Sequence, residues 1–248
     1  MADENELLRK RFFELADKAG SYFTYTDFLG LAEQSVLFSL GHSLGKYTTL
    51  GGTDGAERVI ARFGDEGELG FSEEAPIATL KIEPRSIRFA EKLTHRDYLG
   101  TLMGLGIKRE TLGDIIVRDD GAYLFCLEKI KDYIINELTR VKNTEVLVRE
   151  CTGEAIGELY TEQQVRITLS SIRLDAVIAK TFNLARAKAE VYFDRGLVFC
   201  EGREIKSPSF TPKENDRITV RGLGRLEIGR HLGVSKKGKE ILEIKIYK

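Results

Sequence analysis

The sequence predicts an α+β protein made of three regions, residues 1–74, 75–160 and 163–248. Two observations support this division. Apolar residues near the N-terminus recur at the 3.6-residue spacing of helices, whereas from Pro76 onward short strand-like runs alternate with helical ones. Near the C-terminus, two short helical runs precede a series of β-rich segments. We therefore expect a helical N-terminal region, a central α/β sandwich and a C-terminal domain that combines two helices with a sheet.

The N-terminal region is predicted to hold two helices and a strand. The second helix is predicted to be capped by Thr26 or Asp27 and to end at Gly41. Residues 57–63 alternate in the manner of a strand. Residues 64–75 are acidic and contain glycine, so they are predicted to be an exposed loop.

The central region follows the order strand, helix, hairpin, helix, strand. This order packs most simply as one antiparallel sheet with helices on one face, the ferredoxin-like or RRM-like arrangement. Residues 151–162, rich in Thr, Gly and Glu, are the predicted linker to the next region. The predicted segments are strand 77–82, helix 93–105, hairpin strands 114–117 and 123–127, helix 127–138 and strand 145–149.

The C-terminal region begins with a strand at residues 164–169 and continues into two helices. The first helix starts at Arg173, and Gly196 ends the second. The strand 197–200 and a turn at Glu201-Gly202 follow, with further strands toward the C-terminus.

Charge is distributed unevenly along the chain. The formal net charge is -1. Residues 168–248 carry 17 Lys and Arg against 10 Asp and Glu, whereas residues 1–167 carry 21 against 29. Such asymmetry indicates that the C-terminal part faces a polyanion.

Cysteine, histidine and glycine patterns give no sign of a metal or a cofactor. The three cysteines, Cys126, Cys151 and Cys200, lie far apart in apolar runs and are expected to be reduced thiols of a cytoplasmic protein. The three histidines lie singly, and no glycine-rich cofactor loop follows a strand. No apolar run is long enough to span a membrane, and we expect a monomer.

The C-terminal region resembles the S4 RNA-binding domain. The motifs that carry the resemblance are Arg173-Leu174-Asp175, Ala185-Arg186 with Ala189, the run Gly196 to Gly202, and Asn215-Asp216-Arg217-Ile218. Three positions depart from the usual pattern: Ala185 replaces Ser, Glu201 replaces the turn Asn, and Asn215 replaces Gly. None of these changes removes a cation.

Cations around the two helices are the predicted RNA-binding residues. A single helical Arg or Lys usually belongs to a solvated face, but four around one corner favour phosphate binding, for which the planar Arg fork is suited. Arg221 and Arg225 flank two glycines and could approach phosphate, although a plain turn with exposed arginines fits equally well. The candidate residues are Arg173, Arg186, Lys188, Arg195, Arg221 and Arg225. Candidates for a second RNA surface in the central region are His95, Arg96, Lys108 and Arg109.

A wider resemblance, to the YlmH-type S4-domain proteins, covers nearly the whole chain. Its motifs are Thr26-x-Phe28-Leu29 with Glu33-Gln34, Gly51-Gly52 with Ala56-Glu57-Arg58, His95-Arg96-Asp97 through Arg109, and the S4 motifs. The resemblance implies a bacterial ribosome-associated quality-control factor. Such a factor would bind large-subunit ribosomal RNA and peptidyl-tRNA on stalled subunits, with possible further quality-control partners, and would support alanine tailing without catalysing it.

Two alternatives remain open at this point. An S4 domain can also target an RNA-modifying enzyme, although the sequence contains no catalytic motif for one. The acidic N-terminal region would also suit a division-linked scaffold protein.

Overall fold

The computed structural model describes residues 2–53, 55–151 and 162–247 and separates into two compact units, residues 1–159 and 160–248. The first unit contains the predicted helical and central regions, and the second contains the predicted S4 domain. The predicted linker, residues 151–162, lies almost entirely outside the described residues. The division into three domains therefore stays a prediction.

The N-terminal part of the first unit packs two helices against a small antiparallel sheet. The helices are α1 (Ala2–Lys18) and α2 (Leu31–Leu40). The strands β1 (Thr24–Tyr25), β2 (Tyr47–Leu50) and β3 (Ile60–Phe63) are arranged in the order β1-β3-β2. Phe12, Leu37 and Phe63 are fully buried in the core between them.

Two local predictions in this part were wrong. Helix α2 begins after Gly30, not at Thr26 or Asp27, because the preceding residues are used in sheet contacts. The Thr26 hydroxyl accepts a hydrogen bond from the Ala61 amide, and Leu29 forms a bridge with Val59. The predicted loop at residues 64–75 contains the short helix α3 (Glu66–Leu69), which Asp65 caps.

The central part confirms the RRM-like prediction. It is a five-stranded antiparallel sheet of order β5-β6-β4-β8-β7, in which β4 and β6 occupy the positions of the two middle strands of a ferredoxin-like sheet. Helices α4 and α5 cover one face. The elements are β4 (Ile77–Pro84), α4 (His95–Gly104), β5 (Leu112–Arg118), β6 (Gly121–Leu127), α5 (Lys131–Glu137), β7 (Arg140–Val141) and β8 (Thr144–Glu150).

The opposite face of this sheet is partly covered by the N-terminal part. Phe125, on β6, points away from the helices and is nevertheless fully buried. A Cβ atom added at Gly52 would lie 2.5 Å from Cδ1 of Phe125, so the turn at Gly51-Gly52 packs directly on this ring. Phe28 packs on Gly113 of β5 in the same way.

Arg58 and Asp114 connect the N-terminal part to the sheet. The Asp114 carboxylate accepts hydrogen bonds from the amides of Glu57 and Arg58 at 2.7 and 3.1 Å. The Arg58 guanidinium donates to the carbonyls of Phe28, Arg109 and Leu112.

The second unit packs two helices against one face of a six-stranded antiparallel sheet of order β11-β10-β12-β13-β14-β9. Leu174, Val177 and Phe193 fill the space between the helices and the sheet. Gly196 adopts a positive φ where the second helix ends. The elements are β9 (Glu162–Leu169), α6 (Leu174–Thr181), α7 (Arg186–Asp194), β10 (Val198–Cys200), β11 (Arg203–Glu204), β12 (Arg217–Val220), β13 (Gly224–Val234) and β14 (Glu240–Tyr247).

Candidate nucleic-acid interface

Asp175 brings two of the predicted RNA-binding arginines together. Its carboxylate lies in the first turn of α6 and is fully buried. Arg173 donates to both of its oxygens, at 3.2 and 3.0 Å, and Arg186 donates two bonds to Oδ2 at 3.0 and 2.8 Å. We refer to Asp175, Arg173 and Arg186 as the Asp175 cluster.

The arginines of the Asp175 cluster remain accessible despite their shared carboxylate. The exposed fraction of the side chain is 38% for Arg173 and 51% for Arg186. Each uses Nε and Nη2 toward Asp175, which leaves its Nη1 group able to reach a ligand. One buried carboxylate thus orients two guanidinium groups, and Glu190 lies 3.9 Å from Nε of Arg186 beside them.

The ionic state of this cluster is stable at neutral pH. Burial alone would raise the pKa of Asp175, but the hydrogen bonds from Arg173 and Arg186 outweigh it and hold the pKa below its ordinary value. Asp175 in turn raises the pKa of Arg173. Asp175 and Arg173 are therefore both charged near pH 7.

Lys188 and Arg195 form a separate group. In an α-helix, residues two apart point about 200° away from each other, so Lys188 cannot share the side of α7 on which Arg186 lies. Arg195, seven residues after Lys188, caps the same helix and lies on nearly the same line as Lys188. Both side chains are exposed and form no ion pair within the part of the chain that the structure describes. We call Lys188 and Arg195 the α7 stripe.

The backbone of Arg221 lies near the C-terminal end of α7, but its side chain lies on the other face of the sheet. Its amide donates to the carbonyl of Leu197, two residues after Arg195. Its guanidinium lies 5.1 Å from the centroid of the Phe199 ring, on the sheet face away from the helices. Arg225 is half-buried on β13 and faces away from the helices, because Leu226, beside it, points into the core.

The four residues predicted to form a second RNA surface differ in whether their side chains are available to a ligand. The Arg109 guanidinium donates to the carbonyls of Leu112 and Gly113, so it is used inside the fold. Desolvation and the charge of Arg109 lower the pKa of His95, which disfavours its charged form. Arg96 and Lys108 are exposed and form no ion pair with any described residue.

Sequence reasoning missed a loop that lies against the start of α6. The amides of Leu174 and Asp175 donate to the carbonyls of Phe210 and Pro208. This places the exposed residue Lys206 in the loop that adjoins the Asp175 cluster. The signal available in the sequence was the prolines at both ends of Pro208-Ser-Phe-Thr-Pro212, which favour an ordered turn.

Three further observations bear on chemistry other than RNA binding. Cys126, Cys151 and Cys200 are buried free thiols, and burial raises the pKa of Cys126 and of Cys200 to about 12. Within residues 2–53, 55–151 and 162–247, no group of three or more His, Cys, Asp and Glu side chains could hold a metal ion. In the same residues, no helix is both long and apolar enough to cross a membrane.

Comparisons with known proteins point to one family. Residues 74–155 match the family model described as the putative RNA-binding domain in YlmH. The chain is 30% identical over 219 residues to the ribosome-associated protein quality control protein P2 of Bacillus subtilis, covering 86% of this chain and 83% of that protein. A solved structure titled cell division protein ylmH, from Streptococcus pneumoniae, is similar with a TM-score of 0.48 and 22% identity over 60% of this chain and 92% of that one.

The family assignment rests on the relative from Bacillus subtilis, because the match extends over most of both sequences. The family-model match then assigns the five-stranded sheet and its two helices to the family's RNA-binding domain. The chain therefore belongs to the YlmH family of ribosome-associated quality-control proteins.

Proposed function

We propose that this protein is a non-catalytic, cytoplasmic RNA-binding factor that docks on large ribosomal subunits retaining peptidyl-tRNA after a stall. Its role there is to hold one arrangement of ribosomal RNA and tRNA while alanine residues are added to the trapped chain. The proposal is supported by the family assignment and by the presentation of cations on the second unit.

The Asp175 cluster is the observation that carries the proposal. Two guanidinium groups fixed on a buried carboxylate lose little rotamer entropy when they meet phosphate oxygens, because their side chains are already ordered. Contacts of this kind position a protein on folded RNA without reading base sequence. The cluster therefore suits recognition of RNA shape.

The α7 stripe is a second cationic surface, on a different side of α7 from Arg186. Exposed cations that neutralise phosphates release counterions, which favours binding and makes it depend on salt. The proposed interface therefore has an oriented part at the Asp175 cluster and a freely solvated part at the α7 stripe, on different sides of α7. Arg221 and Arg225 stay candidates on the sheet face away from the helices.

Sedimentation provides the direct test. The tagged full-length chain is expected to migrate with free large subunits in a sucrose gradient of a lysate, and the K188Q/R195Q double variant is expected to move toward the top of the gradient. With purified subunits, the double variant should reduce the slope of log affinity against log salt by about 2, one for each phosphate that is no longer neutralised.

Two results would contradict the proposal. Base modification of RNA by the purified protein would identify an RNA-modifying enzyme instead. Recovery of protein partners after nuclease treatment, with no association with subunits, would identify a scaffold protein.

A further inference from the structure

The RNA-binding domain of this chain does not offer its whole sheet face to a ligand. RRM-like domains stack bases on aromatic residues of the sheet. Here Phe125 of β6 is fully buried beneath the turn at Gly51-Gly52. The centroid of the Tyr123 ring, two residues earlier, lies 5.5 Å from the Lys81 ammonium. Lys81 is itself engaged by Glu83 and Asp120 at 2.9 and 2.6 Å. The part of the sheet around Phe125 is therefore closed to a stacked base, and other surfaces of the domain are candidates for RNA.

One edge of the domain gathers exposed cations that the sequence analysis did not group. The segment after β4 is tied to the β7-β8 hairpin at several points. The Arg85 amide donates to the Glu145 carbonyl at 2.9 Å, and the Glu91 amide donates to the Thr144 hydroxyl at 3.1 Å. Because Thr144 and Glu145 are adjacent, the two ends of the segment are held close together. We call residues 85–96 with this hairpin the 85–96 edge.

The start of α4 is attached to the same hairpin. The Lys142 ammonium lies 2.9 Å from Asp97, and the Asn143 amide donates to the Glu91 carboxylate at 2.8 Å. Asp97 also accepts hydrogen bonds from Thr94. The 85–96 edge is therefore a fixed surface, held by backbone and side-chain bonds from both elements.

Carboxylates on the 85–96 edge already have partners, whereas several of its cations do not. Asp97 is paired with Lys142, Glu91 is bound by Asn143, and Glu145 lies 3.5 Å from Arg140. Arg85, Lys92 and Arg96 are exposed and have no ion pair among the described residues. Residues 85–97 contain four Lys and Arg against two Asp and Glu, although residues 1–167 as a whole are acidic. This edge is a local cationic site on an acidic region.

Ile87 is an exposed apolar residue on the 85–96 edge. It lies between Arg85 and Lys92 in the sequence and is 80% exposed, the highest value among the large apolar residues described. A single aliphatic side chain among cations is a poor core for a protein interface, because such cores are depleted of charge. It can, however, pack against a ribose or an unpaired base while the cations hold the neighbouring phosphates.

We infer that the first unit binds RNA through the 85–96 edge, with phosphates at Arg85, Lys92 and Arg96 and a ribose or unpaired base against Ile87. This inference rests on the proposed function and adds a second point of attachment to it. Contacts on two units of one chain increase the effective concentration of each for the same RNA. The second unit alone would then hold large subunits less tightly than the full chain.

Matched full-length variants test the inference. R85Q/K92Q/R96Q removes three exposed charges from the 85–96 edge. Ile87→Glu places a carboxylate on the same edge. The control K10Q/R11Q/K18Q removes three exposed charges from α1 in the same unit. The binding of these variants and of K188Q/R195Q is measured to a fluorescein-labelled RNA stem–loop and to purified large subunits, over a range of salt concentrations.

The edge triple variant is expected to weaken binding of both probes by about tenfold and to lower the salt slope by about 2 to 3. Ile87→Glu should weaken binding as well, and the α1 control should leave the slope unchanged. Unchanged circular dichroism spectra would show that the variants are folded.

Three results would overturn the inference. If the edge variants match the α1 control while K188Q/R195Q weakens binding, the inference fails and the proposed function stands. If the wild-type chain binds neither probe, the proposed function itself fails. If the edge variants bind RNA normally but lose a nuclease-resistant protein partner, the edge is a protein-binding surface.

Discussion

Arginines in the two units are used in opposite ways. In the second unit, Arg173 and Arg186 converge on one buried carboxylate and keep 38% and 51% of their side chains exposed. In the first unit, Arg58 and Arg109 direct their guanidinium groups onto backbone carbonyls of the fold. The first pair remains available to a ligand, whereas the second pair is part of the structural frame.

The pKa shifts follow the same division. Burial lowers the pKa of Arg58, and burial together with the charge of Arg58 lowers the pKa of Arg109 to about 10. Asp175 instead raises the pKa of Arg173. An arginine therefore indicates a nucleic-acid surface only when its partner leaves part of the guanidinium exposed, and the residue type alone does not separate the two cases.

Removal of Arg58 should have the largest effect on stability. Arg58→Met leaves the carbonyls of Phe28 and Arg109 without this donor, and Leu112 keeps only the bond from Arg109. We expect the free energy of unfolding of the first unit to fall by about 3 kcal/mol, because buried acceptors lose charged donors. Urea denaturation followed by circular dichroism measures this loss.

Two variants serve as controls for Arg58. Arg58→Lys should not restore stability, since an ammonium lacks the planar fork that reaches separate carbonyls. Arg11→Met, at an exposed position of α1, should change stability by less than about 0.5 kcal/mol. A loss for Arg58→Met no greater than for Arg11→Met would contradict the structural role given to Arg58.

Asp175→Asn tests whether orientation or net charge determines RNA affinity. The substitution makes the second unit more positive, so a simple charge argument predicts tighter binding. We expect weaker binding, by roughly fivefold or about 1 kcal/mol, because Arg173 and Arg186 lose the anion that orders them. Titration of labelled RNA at a fixed salt concentration measures the change.

Asp194→Asn is the matched control for this experiment. Asp194 is exposed on α7, forms no ion pair with a described residue, and its substitution changes the net charge by the same amount. It should bind RNA slightly more tightly than the wild type does. Equal affinities for the two variants would show that the Asp175 cluster contributes charge alone.

Much of the fold was predictable because its signals are local. The alternation of strands and helices in residues 77–149 predicted the RRM-like sheet, and Gly196 marked the end of α7. Helix geometry could also have separated Lys188 from Arg186, because their spacing places them on different sides of one helix. The four predicted cations of the corner thus form two separate groups on different sides of α7 instead of one.

Features that depend on tertiary contacts were not predictable in this way. The start of α2 was misplaced because Thr26 and Leu29 find partners in Ala61 and Val59, far away in the sequence. The Arg109 side chain points into the fold because the carbonyls of Leu112 and Gly113 on β5 accept its hydrogen bonds. The 85–96 edge was missed for the same reason, since the hairpin that completes it lies about fifty residues further along the chain.

Glu83 in the first unit is a carboxylate held by two cations, as Asp175 is in the second. Its substitution should have the smallest effect on stability, and that effect should depend on pH. Arg149 and Lys81 both contact its carboxylate at 2.9 Å, and they lower its pKa to about 2. Because the folded-state pKa lies below the unfolded value of about 4.3, the stabilisation is complete above that value and is lost as pH falls toward 2. Glu83→Gln should therefore cost less than about 1 kcal/mol at pH 7 and almost nothing near pH 2.

Urea denaturation at several pH values measures this difference, with Glu137→Gln, at the exposed end of α5, as the control for loss of a carboxylate. A difference between Glu83→Gln and the wild type that stays constant from pH 7 to pH 2 would contradict the ionic role of Glu83. A difference that closes between about pH 4.3 and 2 would show that Arg149 and Lys81 hold the Glu83 carboxylate as an anion. Because Arg149 keeps 58% of its side chain exposed, the first unit would then hold one arginine of the exposed kind beside Arg58 and Arg109.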